Sequence, residues 1–228
     1  MWDWSLEPTA ALYAAQNACE PLHPQFDYAK NTVSVVNDYY RAFSGYKVQA
    51  EVYDLDMKKV FSKQAVVDIP EDGVVNDVFR IDFPNSISNV HFIKLYLLDD
   101  KNREVGSNFY WRSNNVYRGR NTLTGPTTAG FQDINKLPKT KIKTAYTTRQ
   151  ENGAHYIDIS LENRGKSLAF FTQIQWLDKS GKPVRPSFYT DNFMTLLPGE
   201  KTSVTVETDM RHLSGESSYI LVVRGFNV

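Results

Sequence analysis

The stretch IKLYLLDDKN, residues 93–102, shows which class of fold this chain adopts. Apolar residues at positions 93, 95 and 97 alternate with Lys94 and Tyr96. This period of two is typical of a β-strand that has one face on a core and the other toward solvent. The DDKN that follows is made of residues that favour tight turns. The stretch therefore predicts a strand that leads into a hairpin of an antiparallel sheet.

The same alternation recurs on both sides of this stretch, in about seven runs per half of the chain, which predicts an all-β chain of two immunoglobulin-like β-sandwich domains. The LPGE at residues 197–200 predicts a type II turn with positive φ at Gly199. The other apolar positions predicted to share a buried face, run by run, are Val33 and Val35; Val48, Ala50 and Val52; Ile157, Ile159 and Leu161; and Phe170, Thr172, Ile174 and Trp176.

The first 22 residues follow a different pattern. Leu12, Ala15, Cys19 and Leu22 recur at steps of three and four residues, which predicts a short amphipathic helix with that face buried. Cys19, the only cysteine, is therefore expected to be a buried and inert thiol. Because no later stretch offers this helix an obvious partner, we expect its partner to lie in another part of a longer protein.

A polar stretch without periodicity, residues 112–130, separates the two β-rich halves. The predicted organisation is a first sandwich over residues 23–112, a linker over 113–137 and a second sandwich over 138–228. Residues 1–22 belong to neither sandwich in this prediction.

Charge and hydropathy exclude several classes of function. Lys plus Arg and Asp plus Glu both number 26, so the net charge is zero. Without a positive surplus to neutralise phosphates or anionic lipid, neither nucleic acid nor a membrane is expected as a partner. No run of about 18 apolar residues predicts a transmembrane helix, and no signal peptide is visible.

No catalytic, metal-binding or cofactor-binding motif is evident. The acidic pairs Asp54 with Asp56 and Asp99 with Asp100 lie at predicted turns, where Asp commonly accepts backbone hydrogen bonds. The four histidines lack zinc-like spacing, and neither a G-x-S-x-G nor a complete phosphate loop occurs. We therefore predict no catalytic residue, no metal and no cofactor in this chain.

Aromatic side chains are the remaining candidates for a binding site, because many β-sandwich modules stack them on sugar rings. The carbohydrate-contact candidates are Trp2, Trp4, Tyr110 and Trp111. For Tyr110 and Trp111 the alternative is ordinary packing, since aromatic residues are common in strands. The place of Trp2 and Trp4 depends on the domain to which the following helix belongs.

Four strings are more specific than the general β pattern: ALYAAQNACEPLHPQFDY at 11–28, VSVVNDYYRAF at 33–43, SNFYWRS at 107–113 and YTDNFMTLLPGE at 189–200. They resemble the C-terminal part of glycoside hydrolase family 2 enzymes of the β-mannosidase, mannosylglycoprotein endo-β-mannosidase and exo-β-D-glucosaminidase branch. In that family a (β/α)₈ catalytic barrel is followed by immunoglobulin-like domains.

The resemblance implies that residues 1–22 are a remnant of the last barrel helix and that the upstream barrel is the partner of this chain. It further implies that the catalytic glutamates lie outside the chain, which is then a non-catalytic accessory part of a retaining β-mannosidase or β-glucosaminidase. An extracytoplasmic location, periplasmic or secreted, is expected from the same resemblance. The alternative function is a carbohydrate-binding β-sandwich module whose partner is a glycan.

Overall fold

The computed structural model describes residues 1–4, 7–114, 116–117, 128–213 and 219–228. The chain divides into two compact units, one of Cys19–Leu137 and one of Pro138–Val228 together with Met1–Ala18. We call them the first and the second sandwich. Residues 115 and 118–127 of the predicted linker lie outside the described residues.

The first sandwich contains antiparallel sheets of three strands, in the order β1-β2-β5, and of four strands, in the order β4-β3-β6-β7, with a two-stranded sheet β8-β9. A short 3₁₀ helix, Gln132–Lys136, follows β9. The strands are β1 Leu22–Asp27, β2 Thr32–Asn37, β3 Phe43–Tyr53, β4 Lys59–Ile69, β5 Gly73–Arg80, β6 Val90–Leu98, β7 Glu104–Ser113, β8 Val116–Tyr117 and β9 Thr128–Ala129.

The alternation that predicted these strands is confirmed by their burial. In β6 the side chains of Ile93, Leu95 and Leu97 are fully buried in one apolar cluster. The alternating valines of β2 and β3 belong to the same cluster. This cluster is the core of the first sandwich, and burial of its aliphatic side chains stabilises the fold by about 1.5–3 kcal/mol each.

The second sandwich contains a four-stranded antiparallel sheet in the order β10-β11-β15-β13 and a three-stranded sheet in the order β14-β12-β16. Its one α-helix in the described residues, α1, is Ala10–Ala18. The strands are β10 Ile142–Glu151, β11 Ala154–Asn163, β12 Ala169–Leu177, β13 Phe188–Tyr189, β14 Met194–Leu196, β15 Lys201–Asp209 and β16 Ile220–Arg224, and a 3₁₀ turn, Met210–His212, follows β15.

Trp176 lies in the core of the second sandwich, as predicted, with only 1% of its surface exposed. The predicted turn is also confirmed, since Gly199 has φ of +82° and Glu200 N donates to Leu197 O at 3.0 Å. Phe170, Thr172, Ile174 and Trp176 are all buried, as predicted, but Phe170 lies outside the main core cluster. A β-bulge interrupts the register of β12 between Ala169 and Thr172, so that Ala169 and not Phe170 belongs to the core cluster.

A buried asparagine joins three segments of the second sandwich. Asn163 donates from Nδ2 to the carbonyls of Ser167 and Leu196, both at 2.9 Å. Its Oδ1 accepts from Gly165 N at 3.0 Å and from Thr140 Oγ1 at 2.9 Å. Both side-chain groups are thereby fully used, which is the condition for burying an amide at low cost.

Replacement of Asn163 by Ala should lower the free energy of unfolding of the second sandwich by about 3 kcal/mol, because buried backbone groups lose their partners. Gln150→Ala is the matched control, since this amide lies on the exposed face of β10. Urea unfolding of both variants measures the difference. Equal stabilities would show that Asn163 does not hold these segments together.

His91 is a buried titratable residue of the first sandwich whose surroundings disfavour the charged form of its ring. Its Nδ1 lies 3.2 Å from Ser88 O, and its ring packs on Phe83 at a centroid distance of 5.1 Å. Its Nε2 has no hydrogen-bond partner among the described residues. Burial, followed by the nearby charge of Arg112, lowers the pKa of His91.

Because the folded state favours the neutral ring, acid should destabilise the first sandwich. The contribution of neutral His91 to the free energy of unfolding is fully present above the ordinary histidine pKa of about 6.5. It is lost progressively as the pH drops below that value. Hydrogen exchange of the β6 amides, compared at about pH 7.5 and 5.5, measures this loss. His91→Phe should flatten the pH dependence, and an unchanged slope in that variant would contradict the assignment to His91.

Candidate functional site

The N-terminal segment packs on the second sandwich, which overturns the expectation that its partner lies outside the chain. The buried residue of α1 is Tyr13, at 3% exposure, and not the predicted face that includes Leu12 and Ala15. The helix ends at Ala18, so Cys19 falls beyond it and is exposed, contrary to its predicted burial. Leu22 begins β1 and belongs to the core of the first sandwich.

The socket that receives Tyr13 is formed by the loop between β13 and β14. The ring of Tyr13 packs on Phe193 at a centroid distance of 6.1 Å, and the Asn192 side chain counteracts part of the rise that burial causes in the Tyr13 pKa. On the next turn of α1, Gln16 Nε2 donates to the carbonyl of Thr190 at 3.1 Å. Residues 190–193 thus contact one face of α1; we call them the clamp loop.

Asn192 fixes the clamp loop to the central strand of its sheet. Its Oδ1 accepts from Ile174 N at 2.7 Å, and its Nδ2 donates to Ile174 O at 2.9 Å. The amide therefore pairs with β12 as a neighbouring strand would. The same Oδ1 accepts from Phe193 N at 3.0 Å, which shapes the turn that presents the Phe193 ring.

Two bulky residues adopt left-handed backbone conformations at this place. Phe171, in the β12 bulge, has φ of +53°, and Phe193 has φ of +55°. Such values are rare for non-glycine residues and cost about 1–3 kcal/mol each. Their rings pack on each other at 6.0 Å. The strain therefore accompanies the pairing of these two rings, of which Phe193 contacts Tyr13.

The tyrosines around the clamp loop are held neutral. Burial raises the pKa of Tyr189 to about 12, against the effect of the hydrogen bond from Trp176 N to its hydroxyl at 3.1 Å. Burial, with the charges of Tyr189 and Asp191, also raises the pKa of Tyr13. With these raised pKa values, neither hydroxyl is suited to release a proton near neutral pH.

Two of the predicted carbohydrate-contact candidates lie in this N-terminal segment. Trp2 is partly exposed and packs edge-on against Phe188, with centroids 6.2 Å apart. Trp4 is almost entirely exposed. An ion pair between Glu7 and Arg185, at 3.2 Å, lies on the same unit. The structure thus places Trp2 against Phe188, in the strand that precedes the clamp loop, and leaves Trp4 exposed.

The other two candidates, Tyr110 and Trp111, are neighbours on β7 and so point to opposite faces of its sheet. The Tyr110 hydroxyl accepts from Phe26 N at 3.2 Å, and its ring packs on Phe26 and Tyr28, both at 5.8 Å. Tyr110 therefore serves packing within the first sandwich. Trp111 is 37% exposed, so part of its ring faces solvent.

Glu51 is a buried carboxylate of the first sandwich. It accepts hydrogen bonds from Gln49 at 3.0 Å and from Tyr53 and Lys59. Burial would raise its pKa, but the hydrogen bonds from Lys59 and Tyr53 hold that pKa below its usual value. This charge-paired carboxylate stabilises the sheet and is unlike the two facing carboxylates of a glycosidase.

The acidic pairs act in turns, as predicted. Asp54 Oδ1 accepts from Asp56 N at 3.0 Å and from Lys58 N at 2.9 Å, and Asp99 Oδ1 accepts from Lys101 N and Arg103 N at 2.9 and 2.8 Å. Within the described ranges no three His, Cys, Asp or Glu residues are grouped to hold a metal ion. No described helix is long and apolar enough to cross a bilayer.

Two family descriptions match the two sandwiches separately. Residues 29–114 match a mannosidase Ig/CBM-like domain, and residues 121–228 match the exo-beta-D-glucosaminidase Ig-fold domain. The chain carries the immunoglobulin-like domains of glycoside hydrolase family 2. The resemblance found in the sequence strings is thereby confirmed, with the glucosaminidase branch as the more specific fit.

Curated relatives include exo-beta-D-glucosaminidases of Streptomyces avermitilis, 28% identical over 96% of this chain, and of Amycolatopsis orientalis, 27% identical over 97%. A mannosylglycoprotein endo-beta-mannosidase of Lilium longiflorum is 20% identical over 92%. The chain spans about a quarter of the length of these relatives, namely 26%, 22% and 27%. It therefore corresponds to a part of each relative.

Solved structures agree with this assignment. The exo-chitosanase of Amycolatopsis orientalis has a TM-score of 0.87 at 25% identity, over 99% of this chain and 28% of that chain. A beta-D-mannosidase from Dictyoglomus thermophilum has a TM-score of 0.64 at 16% identity and shows the fold alone.

The residues that sequence reasoning missed are Tyr13 and Asn192. The string at 189–200 carries part of the family resemblance, but nothing in it distinguishes Asn192 as the residue that fixes the loop. The helical pattern in the first 22 residues likewise pointed to aliphatic positions, whereas the ring that reaches the socket is Tyr13.

Replacement of Tyr13 by Ala should detach α1, because about 3 kcal/mol of buried contacts is lost. Amide hydrogen exchange in residues 10–18 should then accelerate strongly, while exchange in β11 stays slow. Tyr13→Phe, which removes only the hydroxyl, should cost about 1 kcal/mol. Asn17→Ala, on the exposed side of α1, is the control. Unaltered exchange in Tyr13→Ala would show that the socket does not hold the helix.

Proposed function

We propose that this chain is the non-catalytic accessory region of a retaining β-glycosidase, whose catalytic (β/α)₈ barrel lies upstream in the complete polypeptide. In this proposal the two sandwiches hold the end of the barrel and carry no chemistry of their own. The observation that supports it most strongly is the docking of Met1–Ala18 on the second sandwich.

That docking is informative because of where the segment lies in the chain. Residues 1–18 precede the first sandwich, yet they pack with residues 138–228, which follow it. An isolated helix as short as the nine residues of α1 is marginal in water, so its order depends on the Tyr13 socket. The second sandwich thus holds the segment that precedes the first sandwich. It is therefore suited to hold the end of an upstream domain.

The relatives support one substrate class over the other. Two relatives named exo-beta-D-glucosaminidase are 28% and 27% identical to this chain, whereas the relative named mannosylglycoprotein endo-beta-mannosidase is 20% identical. We therefore favour hydrolysis of a β-glucosaminide over a β-mannoside by the complete polypeptide. Because a polymeric amino-sugar substrate would be met outside the cytoplasm, we also propose an extracytoplasmic location, periplasmic or secreted.

A carbohydrate-binding module is the second candidate function. It is favoured by the description of the family that matches residues 29–114, which includes the term CBM-like, and by the partly exposed ring of Trp111. Under this alternative the first sandwich would bind a glycan without the upstream domain, and Trp111→Ala would abolish that binding.

The complete polypeptide should hydrolyse nitrophenyl β-D-glucosaminide faster than the corresponding β-mannoside, and the 228-residue chain should hydrolyse neither. The physical reason is that catalysis needs two facing carboxylates, which the proposal places in the barrel. Release of nitrophenol measures both activities. Turnover by the 228-residue chain would refute the accessory role, and mannoside preference would refute the substrate class.

A glycan titration separates the two candidate functions. Calorimetry of the 228-residue chain with glucosamine oligosaccharides should give no binding heat if the sandwiches only support the barrel. Binding that disappears in Trp111→Ala, with Tyr40→Ala as an exposed aromatic control, would establish the carbohydrate-binding module instead.

A further inference from the structure

We infer that Met1, Trp2, Trp4 and Phe188 form the surface on which the upstream domain of the complete polypeptide docks. This inference rests on the proposed function and assigns that function a contact surface. We call these four residues the aromatic patch. The occupant to which we commit is the preceding part of the same polypeptide, and not a second copy of the chain or a glycan.

The start of the chain folds back on itself and presents one tryptophan at a turn. Trp2 forms an antiparallel bridge with Pro8. Asp3 N donates to Glu7 O at 2.9 Å, and Glu7 N donates to Asp3 Oδ1 at 2.9 Å. Trp4 lies in this turn, and 97% of its surface is exposed. The hydrogen bonds therefore join Asp3 to Glu7, while the side chain of Trp4 is exposed to solvent.

The remaining members of the patch are exposed beside this turn. Trp2 and Phe188 contact each other at 6.2 Å and keep 45% and 53% of their surfaces exposed, and Met1 is 65% exposed. Single exposed apolar side chains are ordinary on protein surfaces, but clusters of large ones mark interaction sites. Trp2, in contact with Phe188, and Trp4, exposed two residues further along the chain, are of the residue type that most often dominates the energy of an interface.

The surroundings of the patch resemble the edge of an interface. The ion pair between Glu7 and Arg185 leaves 30% and 36% of the two side chains exposed. Charged residues around an apolar centre are the usual arrangement at a domain contact. The Tyr13 socket holds the same segment from its other end, so the patch is kept in a defined place on the second sandwich.

The relatives indicate what covers the patch. They are about four times as long as this chain, so about three quarters of their length has no counterpart in it. In a polypeptide of that length, the upstream domain proposed above would join the chain at Met1, which is itself part of the patch. A domain connected there is held at high effective concentration beside Trp2 and Trp4.

Hydroxyl-radical footprinting with mass spectrometry tests this directly. The 228-residue chain and the complete polypeptide are oxidised under the same conditions, and modification of Trp4 is compared with that of Tyr40. Tyr40 is 88% exposed and belongs to the first sandwich, so it is the matched control. We expect Trp4 to be readily modified in the 228-residue chain and to lose most of that modification in the complete polypeptide, while Tyr40 is unchanged.

Several results would overturn the inference. If Trp4 stays equally reactive but other residues of the second sandwich become protected, the domain contact exists elsewhere and only the patch is wrongly assigned. If no residue becomes protected, the accessory role itself fails. Protection of Trp4 in the 228-residue chain that rises with its concentration, or on addition of glucosamine oligosaccharides, would assign the patch to a second copy or to a glycan.

Discussion

The pairing of the Asn192 side chain with the backbone of Ile174 is the interaction on which the functional part of this structure depends. It places an amide where a neighbouring strand would supply a peptide group. With the loop fixed at that point, Phe193 is presented to Tyr13 and the Thr190 carbonyl is presented to Gln16. An aliphatic residue at position 192 would leave both groups of Ile174 without these hydrogen bonds, at a cost of about 1–3 kcal/mol for each.

The same solution recurs at other irregular positions of the two sandwiches. Asn163 and Asn227 bridge buried main-chain groups of the second sandwich, and Asn37 donates to the carbonyls of Arg41 and Pro70 in the first. Strand ends and bulges expose peptide groups that no ladder satisfies. A short amide side chain has one acceptor and two donors in fixed geometry, so it can satisfy such groups without adding a charge.

Much of the fold could be predicted because its signals are local. The period-two positions of β6 and β11, the turn at Gly199 and the core position of Trp176 each follow from a few adjacent residues. The bulge in β12 could not be predicted, since it contains Phe171 with a positive φ that sequence alone disfavours. The socket of Tyr13 was missed for a related reason: its two halves are far apart in the chain, and periodicity carries no information about distant contacts. The family was recognisable from specific strings. The contacts that Tyr13 and Asn192 make from within those strings were visible only in the structure.

The packing of Met1–Ala18 on the second sandwich has a consequence for protein synthesis. Gln16 and Thr190 are separated by 174 residues, so the N-terminal segment leaves the ribosome long before its binding loop is made. At about 5–20 residues per second, the delay is on the order of ten seconds or more. The first sandwich has its own core and is translated in full during that interval. During that interval the helix Ala10–Ala18 lacks its clamp loop, and it can dock only after the second sandwich has been synthesised.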